Sequence, residues 1–184
     1  MTSKPRRATY RHGNLKAAAL KAAYALVAKA GHESLSLREV ADAVGVAHRS
    51  LYNHFRDREA LLDAVATDAY TKLAGLLIKA ETPEDYTATY VRFALANRAI
   101  YALMTSRPHA TMKHNPPLQT AVHKVITEAM RIFCRDIKTP AERRRAVMKI
   151  YITLYGGISL YAAGVLDQPS EKALIAELSA MTAM

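Results

Sequence analysis

The chain has 184 residues, 51% of them apolar, with one cysteine, no tryptophan and a formal net charge of +10. That is enough apolar material for a real core and excludes intrinsic disorder. No apolar run approaches the roughly 18–20 residues of a membrane helix, and a lone Cys134 excludes an internal disulfide and any multi-cysteine zinc site.

The first residues are basic and polar without an apolar h-region, so they do not read as a signal peptide, and the expectation is a soluble, cytoplasmic protein. The charge is unevenly placed. Residues 1–58 hold 11 Lys or Arg against 4 acids, a balance of +7, whereas the remainder carries 15 against 12, or +3. A basic first third on a nearly neutral body suggests a polyanion-binding module joined to something else. Composition alone leaves a solvated basic surface, or attraction to a membrane surface, about equally open.

Along the chain the 3.6-residue period recurs nearly everywhere, and no stretch alternates long enough to argue for a sheet. Leu15, Ala19, Ala22, Leu26 and Ala30 make one stripe, which Gly31 terminates. Ser36 with Glu39 three residues on is a capping box, each side chain meeting the other's free backbone N–H. It opens a short helix carrying Leu37, Val40, Ala41 and Val44, which Gly45 stops. A second short helix is expected from about His48 to His54. Asp57 then caps a long helix bearing Leu61, Leu62, Val65, Leu73 and Leu77.

Thr82-Pro83-Glu84-Asp85 and Thr139-Pro140-Ala141-Glu142 each place a capping hydroxyl before a proline and an acid at the third helical position. The first opens one helix with Tyr86, Tyr90, Phe93, Ala94 and Tyr101 on a side, followed by a breaker-rich loop from Ser106 to Pro117. Leu118, Val122, Val125, Ile126, Ala129 and Phe133 mark the next helix. Another runs from Pro140 to about Val165, and Ser170 opens a last one with Leu174, Ile175, Leu178 and Met181. The expected architecture is all-α, about nine helices. Residues 1–58 form an N-terminal three-helix domain with a basic arm over 1–9, and a long helix leads into a helical body over 59–184.

Function is written between Ser36 and Leu62. A short helix, a Gly45-Val46 turn and a second short helix fit the helix-turn-helix pattern, with Gly45 where the chain reverses. Ala41, Val44, Val46 and Leu51 pack the two helices together. His48, Arg49, Ser50, Tyr52, Asn53 and His54 remain as polar or amphipathic groups that can enter a major groove. Arg49 can address guanine N7 and O6, and Tyr52, His54 and Arg58 can contact phosphates. Arg38 completes the candidate DNA-contacting set.

The stretch LREVADAVGVAHRSLYNHFRDREALL resembles the signature of the TetR family of bacterial transcriptional regulators. The likeness extends back through Tyr10 to Leu15 and rests on Gly45, Val46, Leu51, Tyr52, His54, Phe55, Glu59 and Leu61 at matching spacing. Two positions depart from it. Ala47 stands where the family usually caps the recognition helix with a hydroxyl, a loss of about 1 kcal/mol, and Arg58 replaces the usual lysine. In relatives an arm such as Lys4-Pro5-Arg6-Arg7 can reach along the minor groove; a solvated terminus with only non-specific attraction is an equal reading.

Tyr86 to Met104 with Met148 to Leu166 resembles a TetR subgroup marked by a Trp-His-Gly pattern, here Tyr151, Tyr155 and Gly156. Gly156, Gly157 and Gly164 within one expected helix imply close approach of another helix, either a symmetry mate or the chain's own core. The resemblance implies a homodimer on a palindromic double-stranded operator, and a small-molecule effector. An apolar pocket with scattered polar tips would be lined from Phe93, Asn97, Tyr101, Met104, Met130, Phe133, Cys134, Tyr151 and Tyr155.

Catalysis, cofactors and metals find no support. His109 and His114 lack the i, i+4 spacing of a helical zinc pair, and there is no HExxH, CxxC or glycine-rich phosphate loop. Cys134 beside Arg135 could have a lowered pKa, but a lone thiol on a helix with Met130 and Phe133 is usually core. The expectation is a DNA-binding regulator, a repressor, modulated by a small apolar or aromatic ligand. The alternative is an architectural helical protein that binds DNA without sequence preference or effector.

Overall fold

The computed structural model describes residues 15–108 and 112–183. The basic arm Lys4 to Arg7, the stretch from Tyr10 to Asn14, and His109 lie outside the described residues. Among those described are nine helices and no strand: α1 (Leu15–Ala30), α2 (Leu37–Val44), α3 (His48–Tyr52), α4 (Arg58–Leu77), α5 (Pro83–Ala96), α6 (Arg98–Ser106), α7 (Pro116–Phe133), α8 (Pro140–Ala162) and α9 (Glu171–Thr182). The all-α architecture is as expected. The chain divides into two compact units between Val65 and Ala66, inside α4.

In the first unit the anticipated caps form. Ser36 Oγ accepts from the Glu39 N–H at 3.2 Å, and the Glu39 carboxylate accepts from the Ser36 N–H at 2.9 Å. Gly45 closes α2 with φ of 71°, the left-handed region that favours glycine, while the Val46 N–H reaches back to the Ala41 carbonyl at 3.0 Å. Asp57 caps α4 by accepting the Ala60 N–H at 2.8 Å. α1, α2 and α3 pack on one another around Ala19, Ala23, Val27, Val40, Ala41 and Leu51, all fully buried. The face of α1 is therefore Leu15, Ala19, Ala23 and Val27, one position round from the expected stripe, and Ala30 is exposed. Eight of the sixteen residues in α1 are alanine, so hydrophobicity alone barely distinguishes neighbouring phases.

The second unit is built on the remainder of α4 and on α5 to α9. α9 packs on α5 and α8, and α7 packs on α5 and α8. Leu73, Leu77, Ile100, Leu103, Leu174 and Leu178 are among its buried side chains, whereas Met181 is exposed and Thr182 takes the inward place. The single helix expected from Tyr86 through Tyr101 is two. The chain breaks at Asn97, with φ of −128° and ψ of 44°, and the Asn97 side-chain amide donates to the Phe93 carbonyl at 2.9 Å. The amide competes with the helical ladder, which suffices to end α5 without proline or glycine.

α8 ends at Ala162 rather than Val165 because Gly164 turns left-handed, φ 69°, and the Val165 N–H folds back to the Leu160 carbonyl at 2.9 Å. Its glycines thus have separate reasons. A Cβ on Gly157 would stand 2.3 Å from Leu178 Cδ2, so α9 of the same chain makes the close approach there, while the space over Gly156 is open.

Candidate nucleic-acid interface and buried cavity

The helix-turn-helix presents α3 by burying one side of it. Leu51 is fully buried and Phe55 nearly so, and together they hold the five-residue helix against the unit. Beyond Tyr52 the chain leaves the helix. The His54 and Phe55 N–H groups both donate to the Leu51 carbonyl at 2.9 Å, which places Asn53 and His54 in the turn after α3 and not on the expected longer helix.

His48, Arg49, Tyr52 and Asn53 are exposed, Ser50 and His54 half-buried, and Arg38 projects exposed from α2. The His48 and Tyr52 rings meet edge to face with centroids 5.1 Å apart, a contact that steadies both side chains at one end of the exposed row. Arg38 and Arg49 enter no ion pair or hydrogen bond among the described residues, so their donors face solvent. Ala47 occupies the N-cap of α3 in extended conformation and supplies no side-chain hydrogen bond.

Arg58 does something else. Its Nε donates to the Leu35 carbonyl at 2.8 Å, its Nη2 to the His32 and Glu33 carbonyls, and its Nη1 pairs with Glu59 at 2.7 Å. The planar guanidinium ties the α1–α2 loop to the first turn of α4, and the donors expected to meet phosphate are engaged inside the unit. No local sequence signal announces this, because the partners are carbonyls 23 to 26 residues away. Arg131 does the same in the second unit, donating to the Ala80 carbonyl at 2.8 Å and to those of Leu77 and Ile78 at 3.3 Å, across the end of α4.

The second unit holds a cavity of about 840 Å³, open to solvent on one side and lined from α4 to α8. Tyr70, Tyr86 and Tyr90 form one wall; Val122, Val125, Ile126 and Ala129 form another; and Val147, Ile150, Tyr151 and Leu154 of α8 close it. Two of these tyrosine hydroxyls are committed to backbone. Tyr70 donates to the Met104 carbonyl at 3.1 Å, Tyr86 to that of Val125 at 3.5 Å, and the Tyr90 ring lies edge-on to Tyr101 at 6.1 Å. Burial pushes all three hydroxyls above the ordinary phenol range, so they remain neutral.

Of the nine residues expected to line a pocket, Met104, Met130 and Tyr151 do so. Tyr101 and Tyr155 instead border a smaller pocket of about 310 Å³ with Arg98 and Ile158. Phe93, Asn97, Phe133 and Cys134 line neither. Asn97 is occupied as the break between α5 and α6. Phe133 backs the wall, edge-on to Tyr86 at 5.3 Å. Cys134 is buried, and burial raises its pKa more than Arg143 lowers it, so the thiol is not activated.

Sequence reasoning missed Tyr70, Tyr86, Tyr90 and the arginines Arg107, Arg143 and Arg144 as lining groups. The tyrosines share the helical spacing of ordinary core. The described residues contain no group of three or more metal-ligating side chains and no helix long and apolar enough to cross a membrane.

A short exposed second helix held on a three-helix unit, followed by a helical unit that holds a cavity, defines the class: a helix-turn-helix DNA-binding regulator. The comparisons make it specific. Residues 19–65 match the bacterial regulatory proteins of the tetR family, and residues 84–182 match the tetracyclin repressor-like C-terminal domain. The chain belongs to the TetR family of transcriptional regulators, whose fold and activity are those of DNA-binding proteins and not of enzymes.

Among solved structures it is similar to a protein of unknown function from Rhodococcus sp. RHA1, at 29% identity and TM-score 0.76, covering 96% of this chain and 97% of that one. A TetR transcriptional regulator from the same organism is similar at 19% identity and TM-score 0.68, covering 94% and 96%. The regulator RolR in complex with resorcinol is similar at 20% identity and TM-score 0.62, covering 92% and 88%. No curated protein matches the sequence.

Proposed function

We propose that this protein is a homodimeric repressor that binds a palindromic operator through α3 and releases it when a small molecule fills the cavity of the second unit. The observation that carries the reading is the pairing of an exposed His48–Asn53 row on a helix-turn-helix with a mainly apolar cavity of about 840 Å³ that opens to solvent, a volume in the range of small-molecule sites. The solved complex of RolR with resorcinol supports a small organic effector for a chain of this fold.

In this reading Arg49 reads a base edge, Arg38, Tyr52 and His54 meet phosphates, and Arg58 is a strut that keeps the module in shape. Met148, Tyr151, Ile152, Tyr155 and Leu160 form an exposed apolar stripe along α8, with the open space over Gly156 on the same helix. Such a stripe is the surface a second copy would cover, and a twofold dimer would set its two recognition helices about 34–36 Å apart. α4 contributes residues to both units, so a ligand touching Tyr70 acts on a helix whose first turn carries Arg58. The ligand would favour one of two dimer geometries and change operator affinity by the difference in its own affinity for them.

The test is a titration of the DNA flanking its own gene, with and without non-specific competitor. Binding that survives competitor, and that Arg49→Ala weakens about 10- to 100-fold at one base position, supports the reading. Complete loss under competitor would instead make the protein an architectural DNA binder.

A further inference from the structure

Twenty residues line the cavity, and their charges are all of one sign: Arg107 from the end of α6, Arg143 and Arg144 from the start of α8, and no Asp or Glu. Arg143 and Arg144 are exposed although they line the space, so they stand at its rim, while the walls behind them are mostly apolar, with the Tyr70 and Tyr86 hydroxyls bonded to backbone.

Two acids on the flanking helices α7 and α8 are otherwise engaged. Glu142 accepts from the Thr139 hydroxyl at 2.6 Å, and Glu128 pairs with Arg131 at 2.7 Å. Arg143 uses its Nε on the Ile137 carbonyl at 2.7 Å, and Arg144 makes no hydrogen bond or ion pair among the described residues. Both cations sit just inside the N-terminus of α8, where the helix's own positive end works against them. Arg143 in part braces the turn before α8 through Ile137, but helix stability gives no reason for Arg144, and a ligand at the cavity rim does.

Resting on the regulatory reading above, we propose that the effector is an amphipathic organic anion, with an apolar body in the cavity and a carboxylate or phosphate head held by the rim arginines. Guanidinium groups suit either head, since both accept paired N–H donors. The helix end adds to the same positive field, and the apolar walls reject a charge buried any deeper. The apolar or aromatic ligand expected from sequence thereby acquires a defined polar end.

The experiment is calorimetric titration of the full chain with octanoate, octyl phosphate, octanol and octylamine, with decanoate added as a chain-length probe. At least one anion should bind about tenfold or more tightly than octanol, with octylamine weakest; whichever anion binds more tightly identifies the head. Decanoate should exceed octanoate by about fourfold per added methylene. Arg144→Gln, on an exposed side chain, and the double change Arg143→Gln with Arg144→Gln should erase the preference while leaving octanol affinity within about twofold.

Octanol binding as well as both anions, a preference that survives in the double variant, or no binding across the series would each overturn the proposal. Adding the same compounds to the protein–operator complex separates the two readings. An anion that binds but leaves DNA bound defeats the regulatory reading alone, and release by neutral compounds only defeats the anionic one alone.

Discussion

The two units of this protein place their distinguishing residues on opposite sides of their surfaces. The first buries alanine, valine and leucine under three short helices and carries its exposed polar row outward on α3, whose own burial rests on Leu51. The second turns Tyr70, Tyr86, Tyr90, Met104 and Met112 inward, around a cavity. A residue that works on the surface breaks the apolar period and can be seen in the sequence. A residue that lines a cavity keeps that period and looks like core.

Four substitutions, with Arg49→Ala as a reference beside the second, break or sharpen this contrast, in order of expected size. Leu51→Ala removes the anchor of α3 and should destabilise the first unit by about 2–5 kcal/mol, with loss of binding to every DNA sequence; a denaturation curve that leaves the first unit as stable as before would refute the anchoring role. Arg58→Ala frees the carbonyls of His32, Glu33 and Leu35 and should lower stability by about 2 kcal/mol, read as a fall in melting temperature. Arg49→Ala, by contrast, should leave stability within about 0.5 kcal/mol. If Arg58→Ala leaves melting unchanged and only flattens the salt dependence of DNA binding, Arg58 is a phosphate contact after all.

Asp57→Ala should cost about 1 kcal/mol at neutral pH by uncapping α4. The Ala60 N–H and the Arg56 side chain hold the Asp57 carboxyl below its ordinary value of 3.8. A depressed folded pKa means that its stabilisation is complete above the unfolded value and is lost as pH falls through the folded one. The gap between parent and variant should therefore close in acid below about pH 3.8, and a gap that stays constant would show that the carboxylate is not the cap.

Ala129→Leu has the smallest effect on folding. It adds apolar bulk to the cavity wall and should leave stability unchanged or raise it by about 0.5 kcal/mol, while abolishing binding of whichever ligand the calorimetry identifies. The same substitution made in a filled core would be destabilising, so the sign of the change reports whether the space is a working cavity.

Much of the fold was legible because helix ends are written in local chemistry. Ser36 with Glu39, Thr82 with Asp85, Thr139 with Glu142, and Ser170 with Ala173 all cap as their spacing indicates. The break at Asn97 was not, since asparagine also sits within helices and its side chain ends one only where no tertiary contact overrides it. The phase of α1 was misread by one position because an alanine-rich helix offers little contrast. Of the residues expected to line a pocket, Met104, Met130 and Tyr151 border the larger cavity; the apolar residues beside them differ from core solely in having space next to them.

The sequence by itself determined the all-α class, most helix starts, the helix-turn-helix and its exposed polar row, because caps, turns and the apolar period act over three or four residues. Only the tertiary structure decided that Arg58 faces three carbonyls from the α1–α2 loop, that Gly157 makes room for Leu178, and that Arg107 lines the same cavity as the Arg143–Arg144 pair. Those pairings join residues more than twenty positions apart, where no local rule reaches and only packing chooses the neighbour.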